Sequence, residues 1–278
     1  MHTSKLQSAM EYLMTYGWAI LAIAIVMVSL YSLGIFNAAS LQPTATPGSC
    51  DVVKTVAQTA LAGQCANLIP KYVARFNGAN SYIDAGSGRP LTVSTTVTIS
   101  AWVYAINSSV EQLVVSKDGQ YHIEIDSGRT TFQVASTYKR GNSHLNSSTW
   151  YNMIASYNGT AVLFYLNGVA DGNQAMSATM SPTNNTLHIG DYNNPNAYYF
   201  NGMIANVQIY NSTFDSAQAK ALYQEGIGGT PISLQSLIGW WPLNGNANDY
   251  SGNNNQGTAT STVVWNANWQ GNYTAPKT

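Results

Sequence analysis

The hydrophobic pattern of the chain changes period once. No charged residue occurs between Glu11 and Asp51, and within that interval residues 19–33, AILAIAIVMVSLYSL, are almost wholly apolar. A run of that kind predicts one continuous helix. Over residues 7–36 it is about 45 Å long, more than the roughly 30 Å of a bilayer's hydrocarbon core. From about residue 70 a two-residue alternation takes over, the pattern of half-buried strands. VTISAWVYA (97–105), QLVVS (112–116), YHIEI (121–125) and TFQVAS (131–136) follow at short spacing. Next comes WYNMIASYNGTAVLFYLNGVADG (150–172), which holds two Asn-Gly pairs, Asn158-Gly159 and Asn167-Gly168. Both residue types tolerate φ > 0, as two-residue hairpins require, so this stretch predicts a three-stranded antiparallel meander. LHIG (187–190) and MIANVQIY (203–210) supply two further strands. One short helix interrupts them. Asp215 reads as its N-cap, Gln218 completes a reciprocal box, and Gly226 ends it.

The remainder divides the chain. Residues 37–49, NAASLQPTATPGS, are small and polar with Pro43, Pro47 and Gly48, the composition of a linker. The expected organisation is a hydrophobic helix over 1–36, a linker over 37–69, an all-β domain over 70–270 and a tail over 271–278. LIGWWPLNGNANDYSGNNNQGT (237–258) reads as one more strand and loop. The roughly 40 residues it belongs to are too few for a second sandwich of about 100. The expectation is that this strand returns to complete the same domain, with Trp240 and Trp241 on opposite faces.

Composition changes this picture in three ways. Charged residues make up only 8% of the chain, with 11 basic against 12 acidic. Nucleic acid is therefore not an expected partner, since a basic stripe is needed to hold phosphates. The surface polarity must come from Asn, Ser, Thr and Gly, a composition common in extracellular β-rich proteins. Lys5 and the N-terminus flank one end of the apolar helix, which places that end in the cytoplasm and the β domain outside the cell. In that oxidising compartment Cys50 and Cys65 are expected to pair, closing a loop worth about 3 kcal/mol; two buried free thiols are the alternative. Six Asn-x-Ser/Thr sequons, at Asn107, Asn146, Asn158, Asn184, Asn211 and Asn272, are about what this composition produces by chance.

Three readings of the first forty residues compete. One is a cleaved secretory signal, but its apolar region is normally only about 7 to 15 residues long. The second is an uncleaved membrane anchor. The third rests on QSAMEYLMTYGWAIL, which resembles the class III signal and start of archaeal type IV pilins and pilin-like surface proteins. That resemblance implies cleavage of a short basic leader between Leu6 and Gln7. It also implies retention of the helix, self-assembly through it, and a role for Glu11, fifth in the mature chain, opposite a neighbour's N-terminal amine. A carboxylate in an apolar bundle is costly unless paired, so it can select register. Leu6 departs from the family, which usually carries Gly or Ala before the cut.

The β domain resembles the concanavalin A-like, laminin G-like lectin/glucanase sandwich. The stretches that carry the resemblance are YVARFNGANSYIDAG, TVTISAWVYA, WYNMIASYNGTAVLFYLNGV, LHIG, FNGMIANVQIYN and the capped helix before ALYQEG. It implies an antiparallel jelly-roll sandwich with one short helix, and a lectin-like or adhesive function toward glycans. Calcium is the cofactor it implies, because many such domains bind one through loop carboxylates. Ca²⁺ requires six to eight oxygens, and Asp84, Asp191 and Asp249 in turn-rich stretches are the candidates. Each is also explained as a turn residue bonding its own backbone. HIEIDSG (122–128) resembles the carboxylate strand of glucanases on this sandwich, but Gly128 stands where a third acid is needed, so no catalytic residue is expected. The loop GDYNNPNAYYFNG (190–202) is the expected recognition surface, with Tyr192, Tyr198 and Tyr199 stacking on sugar rings. The expected function is a cell-surface pilin-like subunit or adhesin that displays a lectin-like sandwich. The alternatives are a monomeric membrane-anchored carbohydrate-binding protein and a secreted glycoside hydrolase relative.

Overall fold

The computed structural model describes residues 3–32, 44–66, 68–193 and 198–277; side chains of residues 3–15 and 31 are outside that description. The chain divides into two compact units, residues 1–42 and 43–278.

The first unit is the helix α1 (Thr3–Ser32). It starts before the expected position and ends short of Phe36. At its end the hydroxyls of Ser29 and Ser32 turn back to donate to the carbonyls of Ile25 and Ser29. Such back-bonding is how hydroxyl residues compete with a regular helix ladder. Leu6, Gln7 and Glu11 lie on this helix, and their side chains are outside the described residues. Among the described residues no helix is long and apolar enough to cross a membrane, so the expected membrane span is not shown. Described side chains cover only 16–30 and Ser32, fewer than the roughly 20 residues a span requires.

The second unit is built from short strands in chain order: β1 (Thr44–Ala45), β2 (Cys50–Lys54), β3 (Thr59–Gly63), β4 (Ile69–Pro70), β5 (Val73–Asn77), β6 (Ile83–Asp84), β7 (Val97–Ala105), β8 (Gln112–Lys117), β9 (Tyr121–Asp126), β10 (Arg129–Val134), β11 (Thr137–Arg140), β12 (Trp150–Tyr157), β13 (Ala161–Leu166), β14 (Val169–Ala175), β15 (Leu187–Ile189), β16 (Asn201–Tyr210), β17 (Leu237–Trp241), β18 (Thr258–Ala259) and β19 (Val264–Asn266). The helix α2 (Ser216–Gln224) lies between β16 and β17. Two large sheets face each other. One runs β11-β10-β9-β8-β15-β6-β18; the other runs β14-β13-β12-β7-β16-β5-β19, with β17 also on β16. All pairings within the two large sheets are antiparallel.

Alternation along each strand decides what lies between the sheets. Val97, Ile99, Ala101 and Val103 of β7, Tyr121, Ile123 and Ile125 of β9, Phe132 of β10 and Phe164 of β13 point inward into one buried cluster. The strand expected at 237–241 does return to this sandwich. β17 pairs with residues 207–210 of β16, while β5 pairs with 201–204 of the same strand. Asn206, with φ 49°, makes the bulge between the two halves. Trp241 enters the inner core and Trp240 packs on the opposite face, as their alternation requires.

The meander has two different turns. Asn167 (φ 50°) and Gly168 (φ 74°) form the expected two-residue connection between β13 and β14. The turn at Asn158-Gly159 is instead a three-residue loop, 158–160, in which the Asn158 side chain accepts from the Thr160 and Ala161 amides. That side-chain turn replaces the left-handed first residue of a tight hairpin. The cap of α2 is as expected: Asp215 accepts from the Gln218 amide while the Gln218 side chain accepts from the Asp215 amide.

The segment read as a linker is more structured than its composition suggested. β2 and β3 form a hairpin, β1 pairs with β4, and a disulfide joins Cys50 to Cys65. Val52 is buried among Tyr210, Trp240 and the face beneath α2, which fastens the hairpin to the sandwich. The expected tail is also tied down within its described residues 271–277, because Tyr273 is buried and its hydroxyl accepts from the Ile227 amide.

Candidate functional site

The outer face of the seven-stranded sheet gathers chemistry that its inner face excludes. Because Tyr121, Ile123 and Ile125 point to the core, His122, Glu124 and Asp126 point away from it. The registers then place Thr258, Asp84, His188, Ser116, His122, Gln133 and Tyr138 directly opposite one another, strand after strand. A single row of polar side chains therefore crosses all seven strands. At about 4.8 Å per strand it is roughly 29 Å long. A second row, Glu124, Thr131 and Arg140, runs beside it.

Two imidazoles organise the middle of the row. His188 is buried, stacks on the Tyr82 ring at 4.8 Å, and lies 2.7 Å from the Asp191 carboxylate through Nδ1. Asp84 approaches its other nitrogen at 3.9 Å. Burial raises the Asp191 carboxyl above its ordinary range, and His188 opposes the rise without cancelling it. His122 meets the edge of the Tyr192 ring at 5.8 Å, and the Tyr192 hydroxyl donates to Asp118. That acceptor, reinforced by burial, pushes the Tyr192 phenol up to about 12.

His122 and Glu124 lie 3.8 Å apart, yet they are not an ion pair. Burial lowers His122 to about 4 despite the Gln133 hydrogen bond and the nearby Asp118. Burial also raises Glu124 to about 8, aided by repulsion from Glu111 and Asp126 and opposed by Arg140. At neutral pH both are uncharged, so the centre of the face offers neutral donors and acceptors. Between the two histidines, Ser116 Oγ is fully buried and has no hydrogen-bond partner among the described residues. A buried polar atom left unpaired costs about 1–3 kcal/mol, a local cost carried beneath the face. At the far end Arg140 pairs with Asp126 and lies over the Tyr138 ring at 4.7 Å.

The structure distributes the expected site residues unequally. Tyr192 lies on the face, and Tyr198 is half-exposed with its carbonyl accepting from the Leu113 amide of β8. Tyr199 makes no hydrogen bond or ring contact with either among the described residues, and residues 194–197 of their loop are outside the description. Asp84 and Asp191 meet around His188, but Asp249 is elsewhere. Its carboxylate accepts from the backbone amides of Trp240, Ser251 and Asn255 and from the Asn255 side chain. Asp249 is thus a turn-holding residue, and among the described residues no group of three or more His, Cys, Asp or Glu is placed to hold a metal ion. Among the described residues the donor set does not fit calcium.

Glu124 and Asp126 share a face as their spacing predicts. The third position of a catalytic carboxylate strand falls on Gly128, which with Ser127 makes the turn into β10 (φ 72° and 53°). Here the strand has ended, so even an acid at 128 would not extend the row. Sequence reasoning missed His122, His188, Ser116, Tyr82 and Asp118. The alternation in YHIEID carried the signal for His122, whereas His188 and Ser116 become neighbours only through sheet register.

Comparison with known proteins places this geometry. The family described as the concanavalin A-like lectin/glucanases superfamily, of laminin G type, matches residues 77–220. A Bacteroides ovatus protein with a proposed carbohydrate-binding role superposes with a TM-score of 0.57 at 16% identity, over 77% of this chain and 65% of that one. A heptameric SAP-like pentraxin from Limulus polyphemus superposes with a TM-score of 0.53 at 13% identity, over 70% of this chain and 94% of the pentraxin. The chain thus spans just under two thirds of the first of these proteins. No curated protein matches it by sequence.

Proposed function

Since the chain belongs to the concanavalin A-like lectin/glucanases superfamily, we propose that it is a non-catalytic glycan-binding protein of the cell surface. Its recognition surface is the outer face of the seven-stranded sheet. The observation that carries this reading is the polar row from Asp84 to Tyr138 that crosses the sheet. Tyr82, Tyr192 and Tyr138 offer aromatic surface beside it for the apolar side of a sugar ring, and the row's uncharged donors and acceptors suit sugar hydroxyls. Binding rather than hydrolysis is favoured because Asp126 is held by Arg140 and the third carboxylate position is a turn glycine.

The test is a glycan array with the full-length chain, followed by titration of the best ligand against His122→Ala and Tyr192→Ala. Both variants are expected to weaken binding at least tenfold, the loss of one or two hydrogen bonds and a stacking surface. Absence of binding to every sugar, or unchanged affinity in both variants, would refute the assignment.

The QSAME start and the apolar side chains exposed along α1, Trp18, Ile20, Ile23 and Val28 among them, support a further element of this reading. α1 anchors the protein in the membrane with the β domain outside, and adjacent helices associate as in pilin-like surface proteins. The alternative is a monomeric anchored lectin. N-terminal sequencing of protein from native cells separates processing from its absence: a mature start at Gln7 is expected, and an intact Met1 would overturn it. Electron microscopy of those cells then decides between filaments and monomers.

A further inference from the structure

Away from the polar face, the second unit has a groove of about 440 Å³ between the end of β2, the turn at 89–96 and the start of β17. Lys54 and Arg89 both line it, and no Asp or Glu does. This is unusual for a chain with 11 basic residues in 278. Each cation is available in a different way. The Lys54 ammonium donates to the Leu237 carbonyl at 2.8 Å and to Asn253 Oδ1 at 3.0 Å, which fixes it at the groove wall and leaves one N–H uncommitted. Partial burial lowers its pKa, and Asp249, the nearest opposing charge, is occupied by its four N–H donors. The Arg89 side chain makes no hydrogen bond or ion pair among the described residues. Ser94, Thr95 and Gln235 also line the groove with side chains that have no partner among the described residues. Its apolar residues Val93, Leu237 and Ile238 are buried, which disfavours a lipid or aromatic ligand. The volume is that of a small-ligand site.

We propose that this groove is a second binding site, specific for an acidic saccharide. The sugar's anion, a carboxylate or a sulfate ester, lies between Lys54 and Arg89, and its hydroxyls bond to Ser94, Thr95, Gln235 and Asn253. Arg89 supplies a planar fork suited to either anion and Lys54 supplies a fixed point charge. The site is independent of the outer-face reading and shares no residue with it.

Calorimetric titration of the full-length chain tests the proposal with tetragalacturonate, a heparin-derived tetrasaccharide and neutral cellotetraose. At least one acidic sugar should bind at low salt, and whichever binds identifies carboxylate or sulfate as the anion. Arg89→Gln, an exposed and unpartnered position, should weaken that binding about tenfold, as loss of one charge-assisted hydrogen bond predicts. High salt should weaken it several-fold, and His122→Ala should leave it unchanged. Failure of both acidic sugars to bind would overturn the proposal. So would equal binding of cellotetraose, insensitivity to Arg89→Gln, or loss with His122→Ala alone. Full displacement by inorganic sulfate at equal concentration would reduce the groove to an ion site and equally overturn it.

Discussion

The two sheets of the sandwich present opposite outer faces. That of the eight-stranded sheet is sealed. Trp102 lies between Tyr223 of α2, stacked at 5.6 Å, and Tyr273, edge-on at 5.5 Å. Trp150 meets Trp269 at 6.0 Å, and Ile154, Tyr165, Tyr210, Phe214 and Trp240 form a second buried cluster with α2 and Val52. Among the described residues no helix lies over the outer face of the seven-stranded sheet; its row of histidines, carboxyls and a seryl hydroxyl is buried only under rings such as Tyr82 and Tyr192. The same strand alternation produced both. The difference lies in what the chain does afterwards: the segments outside the sheets, the β2–β3 hairpin, α2 and the C-terminal residues, contribute to the first face. A sandwich thus gains a second core on one side and keeps a row of polar side chains on the other, the face proposed above for recognition.

The contrast is easiest to break at Trp102. If the sealed face is a true core, Trp102→Ala should cost about 3–5 kcal/mol, as deletion of a buried aromatic does, read as a fall in the urea midpoint. A loss below about 1 kcal/mol would make that face mere surface decoration. The next largest effect belongs to the polar face and depends on pH. Glu124 titrates near 8 in the folded chain and in the ordinary carboxylate range when unfolded. As pH rises between these values the unfolded chain releases the proton first. The stability linked to this group is full at low pH and is lost as pH climbs through about 8. Urea midpoints from about pH 5 to about pH 9 should therefore fall in the wild type and flatten in Glu124→Gln; equal slopes would show that Glu124 is not held protonated.

A smaller effect is expected where the seal is fastened. Asp215→Ala removes the reciprocal cap of α2 and should cost about 1 kcal/mol, measurable by thermal melting. The smallest stability change is expected at Gln133→Ala in the polar row, within about 0.5 kcal/mol. The same variant should weaken sugar binding, and that separation of stability from binding is the sharpest statement of the contrast.

The sequence made the inner core legible because alternation is a local property. Val97 to Ala105 is the strand its pattern predicts, the Asp215 cap is readable at a spacing of three, and Trp240 and Trp241 take opposite faces. The polar row was legible only in part. HIEID places His122 and Glu124 on one face, but nothing local states that Ser116 lies between His122 and His188, since the pairing of Ser116 with His188 spans 72 positions. The β2–β3 hairpin was missed for the opposite reason. Its strands, CDVVK and TALAG, are short and weakly alternating, and they gain order from a disulfide and from burying Val52 against a distant cluster. Asp249 stayed open in the sequence, because a turn-holding carboxylate and a cation ligand look alike until its four donors are seen.

The last strand pairings also impose a timetable on synthesis. Val264 of β19 pairs with Arg75 of β5, and 264 − 75 puts 189 positions between them. At about 5–20 residues per second the earlier strand waits roughly 10–40 s for its neighbour to be made. Through that interval the edge of β5 and the place kept for Trp241 are open to any other chain nearby. Crossing a membrane before the final strands are joined would turn this delay into an advantage, since a sandwich that cannot close early cannot jam the passage.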